Sequence, residues 1–196
     1  MRTAARRADV GGRVVAVVAG LVLAGLTVRA TAEGPQAGCT PGRLTPPAAE
    51  GPYYREGSPR RTSLLEPGMP GVRLRLGGGV FTRTCRPVPG AWLDFWQADA
   101  RGAYDLAGYR LRGHQFADGR GRYALETVVP GGYGGRTPHI HVKVRAPAGP
   151  TLTTQLYFPG HPRNQQDPLF RPDLVVALRE EPGGVAGSFD FVLDVD

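Results

Sequence analysis

His139 and His141 stand two residues apart in the run HIHVKV (139–144), six residues after Tyr133 in GGYGG. The chain has only four histidines, so the pairing calls for a chemical reading. Alternation and β-branched residues favour an extended strand here. On a strand His139, His141 and Lys143 share one face, while Ile140, Val142 and Val144 share the other. Alternate residues of a strand lie roughly 6.5–7 Å apart, so two imidazoles can converge on one cation. Two polar residues on a solvated face fit the same spacing, and the pair alone does not choose between them.

A cation held by two imidazoles needs further donors. Tyr133 lies in the Gly-rich turn that leads into the strand, and Tyr104 follows the Trp-rich segment in FWQADARGAYD (95–105). A phenolate is a hard, anionic oxygen donor, suited to a hard trivalent cation and poorly suited to zinc or copper(I). Two phenolates and two neutral imidazoles leave a single positive charge on Fe(III), which a hydroxide would cancel. The count favours ferric over ferrous iron, whose oxygenase sites use two histidines and one carboxylate.

The elements that must position these residues are short and extended. The runs VRLRLGG (72–78), AWLDFWQA (91–98), GRYALETVV (121–129), HIHVKV (139–144), LTTQLYF (152–158) and SFDFVLDV (188–195) are separated by turn-rich segments. With 29 glycines, 19 prolines and no long helical periodicity, the expectation is a mainly β chain: a β-sandwich of mixed and antiparallel strands with long loops. Segment 173–180 suits either a strand or a short helix. Trp92 and Trp96 share a strand face and read as core or wall, and His114 and His161 as surface or loop residues.

Residues 1–32 read as an export signal peptide. MRTAARRADVGGR is a basic leader, VVAVVAGLVLAGLTV (14–28) an apolar stretch, and Ala30-Thr31-Ala32 a small-x-small cleavage pattern. The apolar stretch is short for a membrane span, which takes about 20 residues, so no stable membrane association is expected after cleavage. Export through the general secretory route is expected, with Arg6-Arg7 raising the twin-arginine route. The leader holds five arginines and one acid, Asp9, which leaves 19 basic and 16 acidic residues, a charge of +3 in place of the whole chain's +7. The basic excess therefore belongs mostly to the leader and gives no support to a nucleic-acid partner. Residues 33–62 read as a Pro/Gly-rich arm and residues 63–196 as a single β-sandwich domain. Cys39 and Cys85 are the only cysteines, and an even count in an exported chain suggests one disulfide.

Four segments in order, CTPGRLTPPAAEGPYY (39–54), TCRPVPGAWLDFWQADARGAYD (84–105), LRGHQFADGRGRYALETVVPGGYGGRTPHIHVKV (111–144) and TTQLYFPGHPRNQQDPLF (153–170), resemble the intradiol ring-cleaving dioxygenases, especially their exported stand-alone members. The resemblance implies that Tyr104, Tyr133, His139 and His141 ligate Fe(III), with Tyr133 released when substrate binds. It implies a catechol-type substrate and O2, and a muconate-type diacid as product. Arg136 corresponds to a guanidinium beside the bound ring, Gln155 to a pocket glutamine, and Pro52 and Tyr53 to a substrate-lining loop. Each also has a plain reading: a salt bridge for Arg136, a satisfied polar residue on an edge strand for Gln155, and a turn for Pro52 and Tyr53. The mature chain is too short for the helical N-terminal dimerisation region of typical catechol 1,2-dioxygenases, and the oligomeric state is left open. A non-catalytic exported β-sandwich binding module would share the fold without needing Tyr104 and Tyr133, and so would a copper or zinc protein built on the HxH pair.

Overall fold

The computed structural model describes residues 38–196, together with Met1. The leader expected over residues 1–32 otherwise lies outside the described residues. Nine strands are found among the latter: β1 (Arg73–Phe81), β2 (Trp92–Gln97), β3 (Arg112–Phe116), β4 (Arg122–Val128), β5 (His139–Arg145), β6 (Thr151–Tyr157), β7 (Ala177–Glu181), β8 (Gly184–Ser188) and β9 (Phe191–Val192). Two 3₁₀ turns, Pro162–Gln165 and Pro172–Leu174, are the helical elements among them. None of the described helices is long and apolar enough to cross a membrane.

The strands form a β-sandwich. One sheet has the order β3-β2-β5-β6 and is antiparallel throughout. The other has the order β4-β1-β8-β7, with β1 parallel to β8 and, at its far end, to β9. Alternation decides what lies between the sheets. Leu93, Phe95, Ile140, Val142, Val144 and Leu156 of the first sheet meet Leu74, Leu76 and Leu125 of the second in one buried cluster. Burying each such side chain stabilises the fold by about 1.5–3 kcal/mol relative to exposure.

All six expected runs hold strand residues, but SFDFVLDV is not one continuous strand: Ser188 ends β8, and pairing resumes only at Phe191–Val192. Upstream of it, groups that would continue a ladder are engaged otherwise. The Asp190 carboxylate accepts the Gly79 N–H at 2.6 Å, and the Tyr123 hydroxyl donates to the Phe189 carbonyl at 2.9 Å. Phe191 and Leu193 nevertheless point into the core, with Phe189 and Val195 against it. Segment 173–180 resolves into the second 3₁₀ turn followed by most of β7. Strands β3 and β8, RGHQF and GVAGS, lack an apolar period and are extended because β2, β1 and β7 pair with them.

The segment preceding β1 crosses the outer face of the first sheet. The Ala48 N–H donates to the Thr153 carbonyl at 3.0 Å, and the Thr154 hydroxyl to the Pro46 carbonyl at 2.8 Å. Farther along, Ser58 Oγ and the Tyr54 hydroxyl both donate to the buried Asp94 carboxylate, at 2.6 and 3.1 Å. A disulfide joins Cys39 to Cys85, with Cα atoms 5.8 Å apart, and ties the start of this arm to the β1–β2 connection. The outer face of β5 is therefore covered, and His139 and His141 are 2% and 0% exposed.

Candidate metal centre

Strand β5 turns His139 and His141 away from the sandwich core and beneath the arm. Their Nε2 atoms face each other at 3.0 Å. The His139 Nδ1 is 2.7 Å from the Thr137 carbonyl. That contact assigns its proton to Nδ1 and leaves Nε2 with a free lone pair, as in histidines that bind metals. Burial pushes His139 down to about 4, with Arg136 adding to the effect. Burial, and then the neighbouring His139, hold His141 well below the usual histidine value. Both rings are thus neutral at physiological pH, the form that ligates cations.

The tyrosines complete a ring of donors. Tyr104 and Tyr133 meet edge to face with centroids 5.2 Å apart, Tyr133 lies 5.6 Å from His139, and Tyr104 lies 6.4 Å from His141. Glycines make this approach feasible. Gly102 and Gly131 let the two tyrosine loops touch backbone to backbone, and a Cβ on Gly131 would lie 2.6 Å from the Gly102 nitrogen. Past Tyr133, Gly134 and Gly135 both have positive φ, as in a type I′ turn, and the Arg136 N–H donates to the Tyr133 carbonyl at 2.6 Å. That turn sets Tyr133 beside Arg136 and returns the chain to β5.

The donor set suits a metal ion. The Tyr104 hydroxyl oxygen is buried without a satisfactory hydrogen-bond partner, an arrangement that is costly unless something else meets it. Burial raises the Tyr104 pKa, with the nearby Tyr133 adding to this, while Arg112 and Arg136 pull it back. The two Nε2 atoms, 3.0 Å apart, are close enough to serve one ion together. Among the described residues no group of three or more His, Cys, Asp or Glu could hold a metal. The side-chain oxygens grouped with the two histidines are the phenols of Tyr104 and Tyr133.

Around this cluster the sheet register builds a support. Gln155, His141, Trp96 and Arg112 are successive cross-strand partners on β6, β5, β2 and β3. Trp96 is fully buried and stacks on His141 at 4.8 Å and 8°. The Arg136 Nε donates to both Asp167 oxygens at 2.9 and 3.1 Å, and its Nη2 donates to Gln155 Oε1 at 2.7 Å. The ionic pairing is thus real, and it aims the guanidinium at the histidine edge of the site. Gln155 lies on an edge strand and is fully satisfied, since its Nε2 also donates to the Ala49 carbonyl. Tyr53 stacks on Tyr104 at 4.2 Å and 19° and meets Tyr133 edge-on at 5.6 Å, while Pro52 beside it is exposed.

His114 and His161 lie outside the cluster. His114 Nδ1 is 2.7 Å from the Ser58 carbonyl beneath the arm, and His161 caps the first 3₁₀ turn. Trp92 lies next to His114 and under the Arg145 guanidinium. Asp167, Tyr157 and Arg112 escaped the sequence reading. Tyr157 could have been found, because it sits two residues beyond Gln155 on the same strand face. Asp167 and Arg112 carry no spacing signal, and only the folded chain brings them to the site.

Comparison with known proteins identifies the family. The family model described as Dioxygenase matches residues 49–195. Chlorocatechol 1,2-dioxygenase of Pseudomonas sp. (strain P51) is 30% identical over 175 residues, covering 76% of this chain and 70% of that protein. Catechol 1,2-dioxygenase of Pseudomonas sp. (strain EST1001) is 31% identical, with 66% of this chain matched to 53% of its length. A solved structure, the dioxygenase domain of a dioxygenase–carbohydrate-binding protein fusion from the cellulolytic bacterium Streptomyces sp. SirexAA-E, superposes with a TM-score of 0.77. It is 56% identical, over 78% of this chain and 99% of that domain. The chain belongs to the intradiol aromatic ring-cleaving dioxygenases, a family of non-haem iron oxidoreductases.

Proposed function

We propose that this protein uses Fe(III), held by Tyr104, Tyr133, His139 and His141, to cleave a catechol-type ring between its two hydroxyl-bearing carbons. Both atoms of O2 enter the product, a muconate-type diacid. The observation that carries the reading is the orphaned Tyr104 hydroxyl beside two facing imidazole nitrogens, the His139 one left without a proton by Thr137. A zinc or copper(I) site would have no use for two phenol oxygens.

Bound ferric iron would supply a Lewis-acidic template that favours the diol as its anion and readies the ring for O2. The protein's own residues do the rest. Tyr133, carried on the Gly134-Gly135 turn, would help hold the ion, and its phenolate oxygen would take a proton from the incoming diol. His139, locked by Thr137, and His141, locked between Trp96 and the arm, stay fixed during that exchange. Arg136 faces negative charge developing on the ring, and its pairing with Asp167 and Gln155 holds it there at no cost of reorganisation. Tyr53 closes the aromatic side and restricts water. Export is part of the proposal and rests on the leader pattern in the sequence.

A visible spectrum of the purified protein, taken with metal analysis before and after anaerobic addition of catechol, tests the reading. Iron-loaded protein should be coloured by phenolate-to-iron charge transfer, and catechol should move the band. Protein that stays colourless after reconstitution with ferric iron would sink it.

A further inference from the structure

Arg112 closes the cross-strand row that runs through His141 and Trp96, and it is only 3% exposed. A buried guanidinium is costly unless its donors are met. Here the two terminal nitrogens are met by backbone from two separate segments. Nη1 donates to the Tyr53 carbonyl at 2.6 Å and Nη2 to the Asp105 carbonyl at 3.0 Å, while Nε has no partner. The Asp105 carboxylate is engaged elsewhere, accepting the N–H groups of Ala107, Gly108 and Arg110. Arg112 is therefore not one half of an ordinary ion pair. It is a fork between the residue that follows Tyr104 and the residue whose ring stacks on Tyr104. The guanidinium carbon lies 5.9 Å from the Tyr104 ring centroid, within reach of its π face.

We propose that Arg112 is a positioning residue that fastens the Tyr53 wall to the Tyr104 loop and, through the Tyr53–Tyr104 stack, sets the direction in which Tyr104 presents its oxygen. The consequence for metal and substrate rests on the iron reading above; the fastening itself does not. A fork holding two carbonyls needs the planar guanidinium, and an ammonium of similar length makes a poor substitute.

The test compares Arg112→Lys, Arg112→Gln and Tyr53→Ala with the wild-type full chain. In metal-free protein, amide hydrogen exchange across residues 50–57 should quicken by about tenfold or more in both Arg112 variants, with β5 unchanged. Tyr53→Ala keeps the carbonyl, so its exchange should stay near wild type. In iron-loaded protein all three variants should shift the visible charge-transfer band and raise KM for catechol more than they lower kcat. Exchange at 50–57 that matches wild type in a folded Arg112 variant overturns the fastening. A band unmoved by Tyr53→Ala overturns the orienting role of the stack. If Arg112→Gln does not fold, Arg112→Lys, which keeps the charge, carries the comparison. Wild-type protein that takes up no ferric iron would defeat the iron reading alone, because the exchange measurement is made without metal.

Discussion

The Nε2 atoms of His139 and His141 face each other at 3.0 Å, and the contact of His139 Nδ1 with Thr137 leaves its Nε2 no proton to offer. The His139 lone pair is therefore aimed at the His141 Nε2 edge, where either a proton or a shared cation meets it. Tyr104→Phe should lower ferric iron content sharply and abolish turnover and the visible band. His141→Ala should leave a folded protein, by far-UV circular dichroism, that no longer retains iron. Iron and activity that survive Tyr104→Phe would remove Tyr104 from the ligand set.

Asp167 gives a pH signature. Its side chain is fully buried. Burial raises its pKa, but hydrogen bonds from the Leu169 N–H, the Arg136 guanidinium and the Thr137 N–H outweigh that and hold it below the usual 3.8. A carboxylate with a depressed folded pKa stabilises the fold above its unfolded pKa, and that stability is lost as pH falls through the folded value. Asp167→Asn strands the Arg136 charge and should cost about 3 kcal/mol at pH 7. The Tm gap between wild type and variant should be constant above about pH 5 and close as pH falls below 3.8. A gap independent of pH down to acid unfolding would show that the charge of Asp167 is not what matters.

Gly51 bears on the arm's route over the site. It has φ +72°, and a Cβ there would lie 3.2 Å from His141 Cε1. Gly51→Ala should lose about 1–2 kcal/mol from backbone strain alone and also weaken iron retention, since either the arm or the imidazole must shift. Chemical denaturation and metal analysis of the same sample check both. A variant that loses stability but binds iron normally would show that the arm gives way and not the histidine.

The disulfide closes a loop of 46 residues. Its removal by a paired Cys39→Ser and Cys85→Ser substitution should cost about 2–4 kcal/mol, chiefly through the unfolded chain. Thiol titration of the exported, denatured, unreduced protein should find no free thiol. Iron content should stay near wild type, because Cys39 joins the arm well before the residues that touch the site.

The legible part of this protein was the part that obeys a period. The alternation in HIHVKV separates the residues that face the arm from those that face the core, and the structure keeps that division. Phe189, Phe191, Leu193 and Val195 likewise share a side although only Phe191 and Val192 pair with a neighbouring strand. What stayed illegible depends on partners remote in sequence. Asp167 is defined by a guanidinium 31 residues away, and Arg112 by carbonyls of two loops. Strand β3 is extended because β2 is, and RGHQF alone gives no sign of it.

The arm brings a wall to the site from outside both sheets. The two histidines ride on a central strand whose other face is locked into the core, so they have almost no freedom to change. Tyr53 and its neighbours sit on a strap fastened at a few points, and no core side chain depends on the shape of that ring. Holding the two histidines and walling the space beside them thus fall to different stretches of chain, which meet at Gly51 and at the Tyr53–Tyr104 stack. Exchanging the exposed residues around Tyr53 between relatives should redirect which aromatic is accepted, provided Gly51 and the Tyr53 ring, which meet His141 and Tyr104, are kept.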